Sequence, residues 1–241
     1  MNKIIIYDFD GTLTPYSMPK FEILEKSGLK DGANNPKFLE LSKKKSIDKK
    51  IDLYEALYEV MFEIITDSGY ELNDNNFSIG SDLVEYNNGV FEFLQMLSEN
   101  NIDNYLLSSG MKTYLKNVSV SKYFKDIYAT TFKYNELGEI DDIDFLMSDK
   151  NKVVAIKDIL RKNGISEDDC SDVIYIGDGL TDFYAMEYVK KMGGETIFVY
   201  HDSNSKDITN IREKNVVSNF FIADFSSDSE LTNHIKKYLK I

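Results

Sequence analysis

Two periodicities run through the apolar positions of this chain. Near the start, Ile4-Ile5-Ile6-Tyr7 has no polar break and is rich in β-branched residues, which predicts a buried strand. It runs into Asp8-Phe9-Asp10-Gly11-Thr12-Leu13-Thr14. Further on, Ile47, Ile51, Tyr54, Tyr58, Met61 and Ile65 recur at steps of three and four, and Leu57, Phe62 and Ile64 widen the stripe. That spacing predicts one core-facing amphipathic helix, stopped at Gly69. Flanking helices are predicted at Phe21–Lys26, Pro36–Lys45 and Asn73–Tyr86, with no further strand before Gly89.

From Gly89 onward the strand and helix periods alternate. Val90, Phe91, Phe93, Leu94 and Leu97 mark a helix opened by Asn88-Gly89. Ile102–Leu107 predicts a strand ending in Ser108-Ser109-Gly110, and Asp126–Thr130 another. Thr131–Tyr134 and Glu139–Phe145 read as a hairpin around Asn135-Glu136-Leu137-Gly138. Ser148-Asp149 predicts a helix N-cap, followed by an apolar face of Val153, Ile156, Ile159 and Leu160 that ends at Gly164. The strand Asp172–Ile176 closes on Gly177-Asp178-Gly179-Leu180-Thr181-Asp182 and a helix to about Met192. Strands at Thr196–Tyr200 and Phe220–Phe225 flank a helix near Asp207–Lys214, and Leu231–Leu239 is a last helix.

Strands alternating with helices imply a three-layer α/β fold with a parallel sheet, whose ligands sit at the carboxyl ends of the strands. The first two predicted strands are separated by about three times the roughly 30 residues of a βαβ unit. The stretch from about Pro15 to Asn87 therefore reads as an inserted, mainly helical cap on residues 15–87, with residues 1–14 and 88–241 forming the α/β core.

Composition narrows the function classes. At 241 residues, 42% hydrophobic and 13% aromatic, the chain is long enough for one large core with an insert. A net charge of −13 argues against a general nucleic-acid or anionic-membrane surface, though not against a local pocket for a phosphorylated metabolite. Cys170 is the single cysteine, which rules out an internal disulfide and fits a reducing compartment. No signal peptide or membrane span is expected, and the expected location is the cytoplasm. The lysines at 43–45, 49 and 50 read as a solvated helix face. Oligomeric state is not encoded in any of these features.

The polar residues of interest all fall at strand ends or helix starts: Asp8 and Asp10, Ser108, Lys150, and Asp178 and Asp182. Strand alternation lets Asp8 and Asp10 point to one side, where two carboxylates repel unless a positive group sits beside them. An acidic turn is the bland reading of such a pair, as a turn is for Ser108 and a solvated residue for Lys150. In this order and context, Asp-Phe-Asp-Gly-Thr-Leu-Thr, the serine after the second strand, the lysine at a helix start and Gly-Asp-Gly-Leu-Thr-Asp together resemble the four motifs of the haloacid dehalogenase (HAD) superfamily. The resemblance is to its phosphatases, in the phosphoserine-phosphatase-like branch with a helical cap. It implies a Rossmann-like core.

It also implies roles. Asp8 would be the nucleophile that forms an aspartyl-phosphate, and Asp10 the general acid and base. Mg²⁺ would be held by the Asp8 carboxylate, the Asp10 main-chain carbonyl and Asp178, an all-oxygen set suited to a hard cation. Ser108 and Lys150 would bind the phosphoryl group, with backbone donors near Gly11 and Gly110, and Asp182 would orient the site from behind. Ser109 is an alternative to Ser108, and Lys152 to Lys150. Position directly after the strand favours Ser108, and proximity to the helix start favours Lys150.

The expected activity is Mg²⁺-dependent hydrolysis of a small phosphomonoester. A phosphotransferase or mutase using the same residues, and a phosphate-ester-binding protein without turnover, are the alternatives. Asp10 favours phosphoryl transfer to water over dehalogenation, which needs no acid there. The cap contains no arginine, and the first acidic residue after Thr14 is Glu22, so phosphoserine itself is disfavoured as the substrate.

Overall fold

The structure is a computed structural model that describes residues 3–15, 22–201 and 205–241, without the side chains of residues 22, 205–207 and 210. The cap residue Tyr16 and the first residue of the predicted helix at Phe21 lie outside these. A seven-stranded sheet forms the centre, in the order β4-β3-β2-β1-β5-β6-β7. Its strands are β1 (Ile4–Tyr7), β2 (Asp103–Met111), β3 (Asp126–Tyr134), β4 (Ile140–Phe145), β5 (Val173–Gly177), β6 (Glu195–Tyr200) and β7 (Asn219–Ile222). All pairings are parallel except β3 with β4, the predicted hairpin. β3 is a single strand through both segments that the sequence reading separated.

β1 lies in the middle, with Ile4 opposite Asp103 of β2 and Val173 of β5. All four of its residues are buried, as the apolar run requires of a strand covered on both faces. Alternation then sorts them. Ile5, Tyr7 and Phe9 join the core under α5 (Val90–Glu99) and α10 (Glu230–Leu239). Ile4 and Ile6 face α7 (Asn151–Lys162), α8 (Phe183–Lys191) and α9 (Ser205–Lys214). The same alternation sends Asp8 towards the α7 side.

Between β1 and α5 the chain is helical: α1 (Glu22–Lys26), α2 (Pro36–Lys49), α3 (Leu53–Asp67) and α4 (Asp74–Phe77). The stripe read as one helix is split. Lys50 adopts left-handed φ +57°, and Asp52 then caps a new helix by accepting from the Tyr54 amide at 2.8 Å. Ile47, left on the first helix, is 75% exposed. The predicted Asn73–Tyr86 helix is also shorter, being α4 and a 3₁₀ turn at Ser81–Leu83. This stretch leaves and rejoins the sheet at one place, because Asn87 Nδ2 donates to the Thr12 and Thr14 carbonyls and its amide to Leu13. Tyr58, Phe62 and Phe77 pack edge-on or tilted around Phe132 of β3 at 5.5–6.0 Å. The remaining helix is α6 (Lys112–Asn117). No helix among the described residues is long and apolar enough to cross a membrane.

Candidate active site

β1 and β5 end side by side, and the Asp8 amide donates to the Ile176 carbonyl at 2.9 Å. Asp8 is thereby held at the carboxyl edge of the sheet, 6% exposed. The Gly11 turn brings the following loop over Asp178: Gly11 has φ +74°, and a Cβ there would lie 2.1 Å from Asp178 Oδ2. Only glycine permits that approach. Thr12 Oγ1 donates to Asp178 Oδ1 at 3.0 Å. Oxygens of Asp8, Asp178 and Asp182 all come within 4.8 Å of one another.

The cation that answers these carboxylates is Lys152. Its Nζ donates to Asp8 Oδ1 at 2.9 Å and to Asp182 Oδ1 at 2.7 Å, and the side chain is 1% exposed. Lys150, the residue favoured by proximity to the helix start, is exposed instead. The reason is helical register. Lys152, Ala155, Ile156, Ile159 and Leu160 form the buried stripe of α7, whereas Val154 is 57% exposed and Val153 only partly buried. The helix begins at Asn151 with no side-chain cap, two residues beyond the predicted Ser148-Asp149 cap. A lysine in step with an apolar stripe was the signal available for Lys152.

Asp182 is saturated by protein donors. Tyr175 Oη donates to its Oδ1 at 2.6 Å and the Gly179 amide to its Oδ2 at 3.2 Å. It therefore fixes Lys152 rather than facing a ligand. Neither Tyr175 nor Thr12 was singled out by sequence, since each reads as an ordinary strand or turn residue. His201, at the end of β6, lies 3.1 Å from the Gly11 carbonyl through Nε2.

Ser108 lies within β2, 1% exposed, next to the register shift between Leu107 and Met111. Its Oγ accepts from the Gly110 amide at 3.0 Å. The Gly11 amide likewise donates to Thr14 Oγ1 at 3.2 Å. Both of these glycine amides thus donate to side chains of their own turns. Ser109, the alternative hydroxyl, has a buried Oγ that lies beside the Tyr54 phenol. Asp10 is partly buried and borders a cavity that Ser109 and Gly110 also line.

Burial pushes the Asp8 carboxyl up to about 7, with Asp182 adding to the rise and Lys152 opposing it. Burial, then Asp8 and Asp182, hold Asp178 well above the usual carboxylate range. Burial works against the Lys152 charge, but the Asp182 and Asp8 carboxylates outweigh it and raise the ammonium. Crowded, dry carboxylates with one lysine between them leave negative charge uncompensated, and a divalent cation between Asp8 and Asp178 fits that deficit.

The family model described as haloacid dehalogenase-like hydrolase matches residues 5–187. The chain belongs to this family. No curated protein matches its sequence. Among solved structures, the HAD chain is similar to a substrate-bound phosphoserine phosphatase complex at 15% identity and TM-score 0.63, over 99% of both chains. It is similar to a HAD family hydrolase from Salmonella enterica serovar Typhi at 14% identity and TM-score 0.63, over 98% of this chain and 70% of the other. A putative phosphatase from Clostridium difficile matches at 20% identity and TM-score 0.56, over 99% of this chain and 98% of that one. At these identities the likeness is one of fold, and the fold is that of a HAD core with helices inserted after the first strand.

Proposed function

We propose that this HAD hydrolase is a Mg²⁺-dependent phosphatase acting on a small phosphomonoester through an aspartyl-phosphate. The observation that carries the reading is the Lys152 ammonium shared between Asp8 and Asp182 at the end of β1. A carboxylate needed only for structure is rarely buried against two others. Lys152 holds Asp8 Oδ1, which orients the carboxylate so that its other oxygen attacks phosphorus. The new Asp8–phosphorus bond forms as the alkoxide leaves, and Asp10 gives that oxygen a proton. Asp10 then takes a proton from water as the water cleaves the acyl phosphate, returning Asp8 and releasing phosphate. Ser108, whose Oγ accepts from Gly110, keeps its own hydrogen to donate to a phosphoryl oxygen. Asp8, Asp178 and the Asp10 carbonyl would hold Mg²⁺, which supplies Lewis acidity and offsets repulsion between anions. The helices of residues 15–87 act as a cap that excludes water from the reacting centre.

Metal removal tests the reading. Phosphate release from p-nitrophenyl phosphate is expected to stop with EDTA and return with excess Mg²⁺. Release indifferent to both contradicts the metal assignment.

A further inference from the structure

Tyr54 and Tyr58 stand one turn apart on α3, and both phenols reach the sheet. Tyr54 Oη donates to Asp149 Oδ1 at 3.0 Å and lies beside the Ser109 hydroxyl. Tyr58 Oη donates to the Ser109 carbonyl at 3.0 Å. Thr130 Oγ1 donates to the same carbonyl and accepts from the Met147 amide, each at 3.2 Å. The bonds close a ring that runs from α3 to the end of β2, across β3 to the segment before α7, and back to α3. Asp149 lies three residues before Lys152, in the turn where α7 begins. That turn also holds the Asn151 side chain on the Leu146 carbonyl at 2.7 Å and the Lys152 amide on the Ser148 carbonyl at 3.1 Å.

The geometry points to Tyr54 as a positioning residue, which sets Lys152 against Asp8 by fixing Asp149 at the start of α7; as a role in the reaction this rests on the phosphatase reading above. α7 has no side-chain cap of its own, so its first turn is held by whatever ties down the residues before it. Asp149 is half-buried, where a carboxylate needs a donor, and the phenol brings one on a rigid ring. Burial raises the Asp149 carboxyl, and the Tyr54 bond, then the Lys152 charge, draws it back. The lysine bonds of 2.9 Å to Asp8 and 2.7 Å to Asp182 leave little slack, so a small shift of that turn misplaces the nucleophile. A second phenol–carboxylate bond joins the inserted helices to the sheet, from Tyr134 of β3 to Asp74 of α4 at 2.6 Å. It is exposed and does not touch the turn before α7, which makes it the natural control.

The test measures kcat/KM for p-nitrophenyl phosphate with Mg²⁺ and, on the same proteins, amide hydrogen exchange in the first turn of α7. Tyr54→Phe keeps the ring and removes the donor. Its kcat/KM is expected to fall about tenfold or more, mainly in kcat, the scale of a hydrogen bond to a charged group. Exchange of the Lys152 amide should quicken by about tenfold or more, while the Ile174–Ile176 amides of β5 keep wild-type protection and report an intact fold. Asp149→Ala should match Tyr54→Phe, and the double variant should fall no more than about twofold below either, since each removes the same bond. Asp149→Asn, which keeps an oxygen to accept, should stay within about threefold of the wild type. Tyr134→Phe should leave both readouts within about twofold. Unchanged Lys152 exchange or unchanged kcat/KM in Tyr54→Phe, losses that multiply in the double variant, or an equal loss in Tyr134→Phe overturns the inference. A wild type that releases no phosphate removes the phosphatase reading, and the exchange of the Lys152 amide then decides by itself whether Tyr54 fixes the start of α7.

Discussion

Helix α7 carries two lysine–carboxylate systems on different faces, and they behave in opposite ways. On the sheet side, Lys152 pairs with Asp8 and Asp182, and its side chain is 1% exposed. On the outer side, Lys162 pairs with Asp158 at 2.9 Å with its side chain 55% exposed. Tyr128 also donates to Asp158, at 2.8 Å. The hydrogen bond from Lys162, then that from Tyr128, pulls the Asp158 carboxyl down to about 2. A lysine at the same distance leaves Asp8 raised to about 7, because burial and a second carboxylate outweigh it. The difference teaches that a salt bridge has no fixed value. In water it favours the charged pair slightly, while in the dry end of a sheet it offsets only part of the desolvation cost. The outer system is ordinary surface chemistry. The inner one holds a carboxylate that burial keeps away from its charged form, with Lys152 offsetting only part of that cost.

The largest way to break the contrast is Lys152→Met. It leaves Asp8 and Asp182 buried without their cation, so about 3–5 kcal/mol should be lost in urea unfolding at neutral pH. Phosphate release should fall about 10²–10³-fold, as for other preorganised electrostatic groups. Lys150→Met is the internal control, with stability changed by no more than about 0.5 kcal/mol and release within about twofold. The reverse pattern would restore the sequence-based choice of Lys150.

The smallest effect sharpens the other side. Asp158→Asn should cost no more than about 1 kcal/mol near neutral pH, and less in high salt. Its sign with pH is fixed. The folded carboxyl titrates below the unfolded one, so its contribution is complete above about pH 4 and is lost as pH falls towards 2. Urea midpoints of the two proteins should therefore converge on acidification. A gap that stays constant would show that Asp158 acts through packing rather than charge.

The contrast also explains what the sequence disclosed. Asp8, Asp10, Asp178 and Asp182 were legible because strand termini place contiguous residues predictably, and alternation from Ile4 and Ile6 even gives Asp8 its side. Lys152 was harder to choose. Its place depends on which residue begins α7, and the polar Ser148-Asp149 pair resembles a cap without acting as one. The same weakness appears at Lys50, where spacings of three and four continue across a left-handed residue that ends one helix before the next begins. The hydrogen bonds of the Gly11 and Gly110 amides depend on turn closure, which residue type alone does not specify.

The most direct measurement of the central claim is phosphate release from p-nitrophenyl phosphate with Mg²⁺ by the wild-type chain and by Asp8→Asn, run side by side with urea unfolding of each. The account predicts release by the wild type, a loss of at least about 10⁴-fold in the variant as expected for a removed nucleophile, and an unfolding midpoint at least as high. A folded Asp8→Asn protein that releases phosphate at the wild-type rate would contradict it.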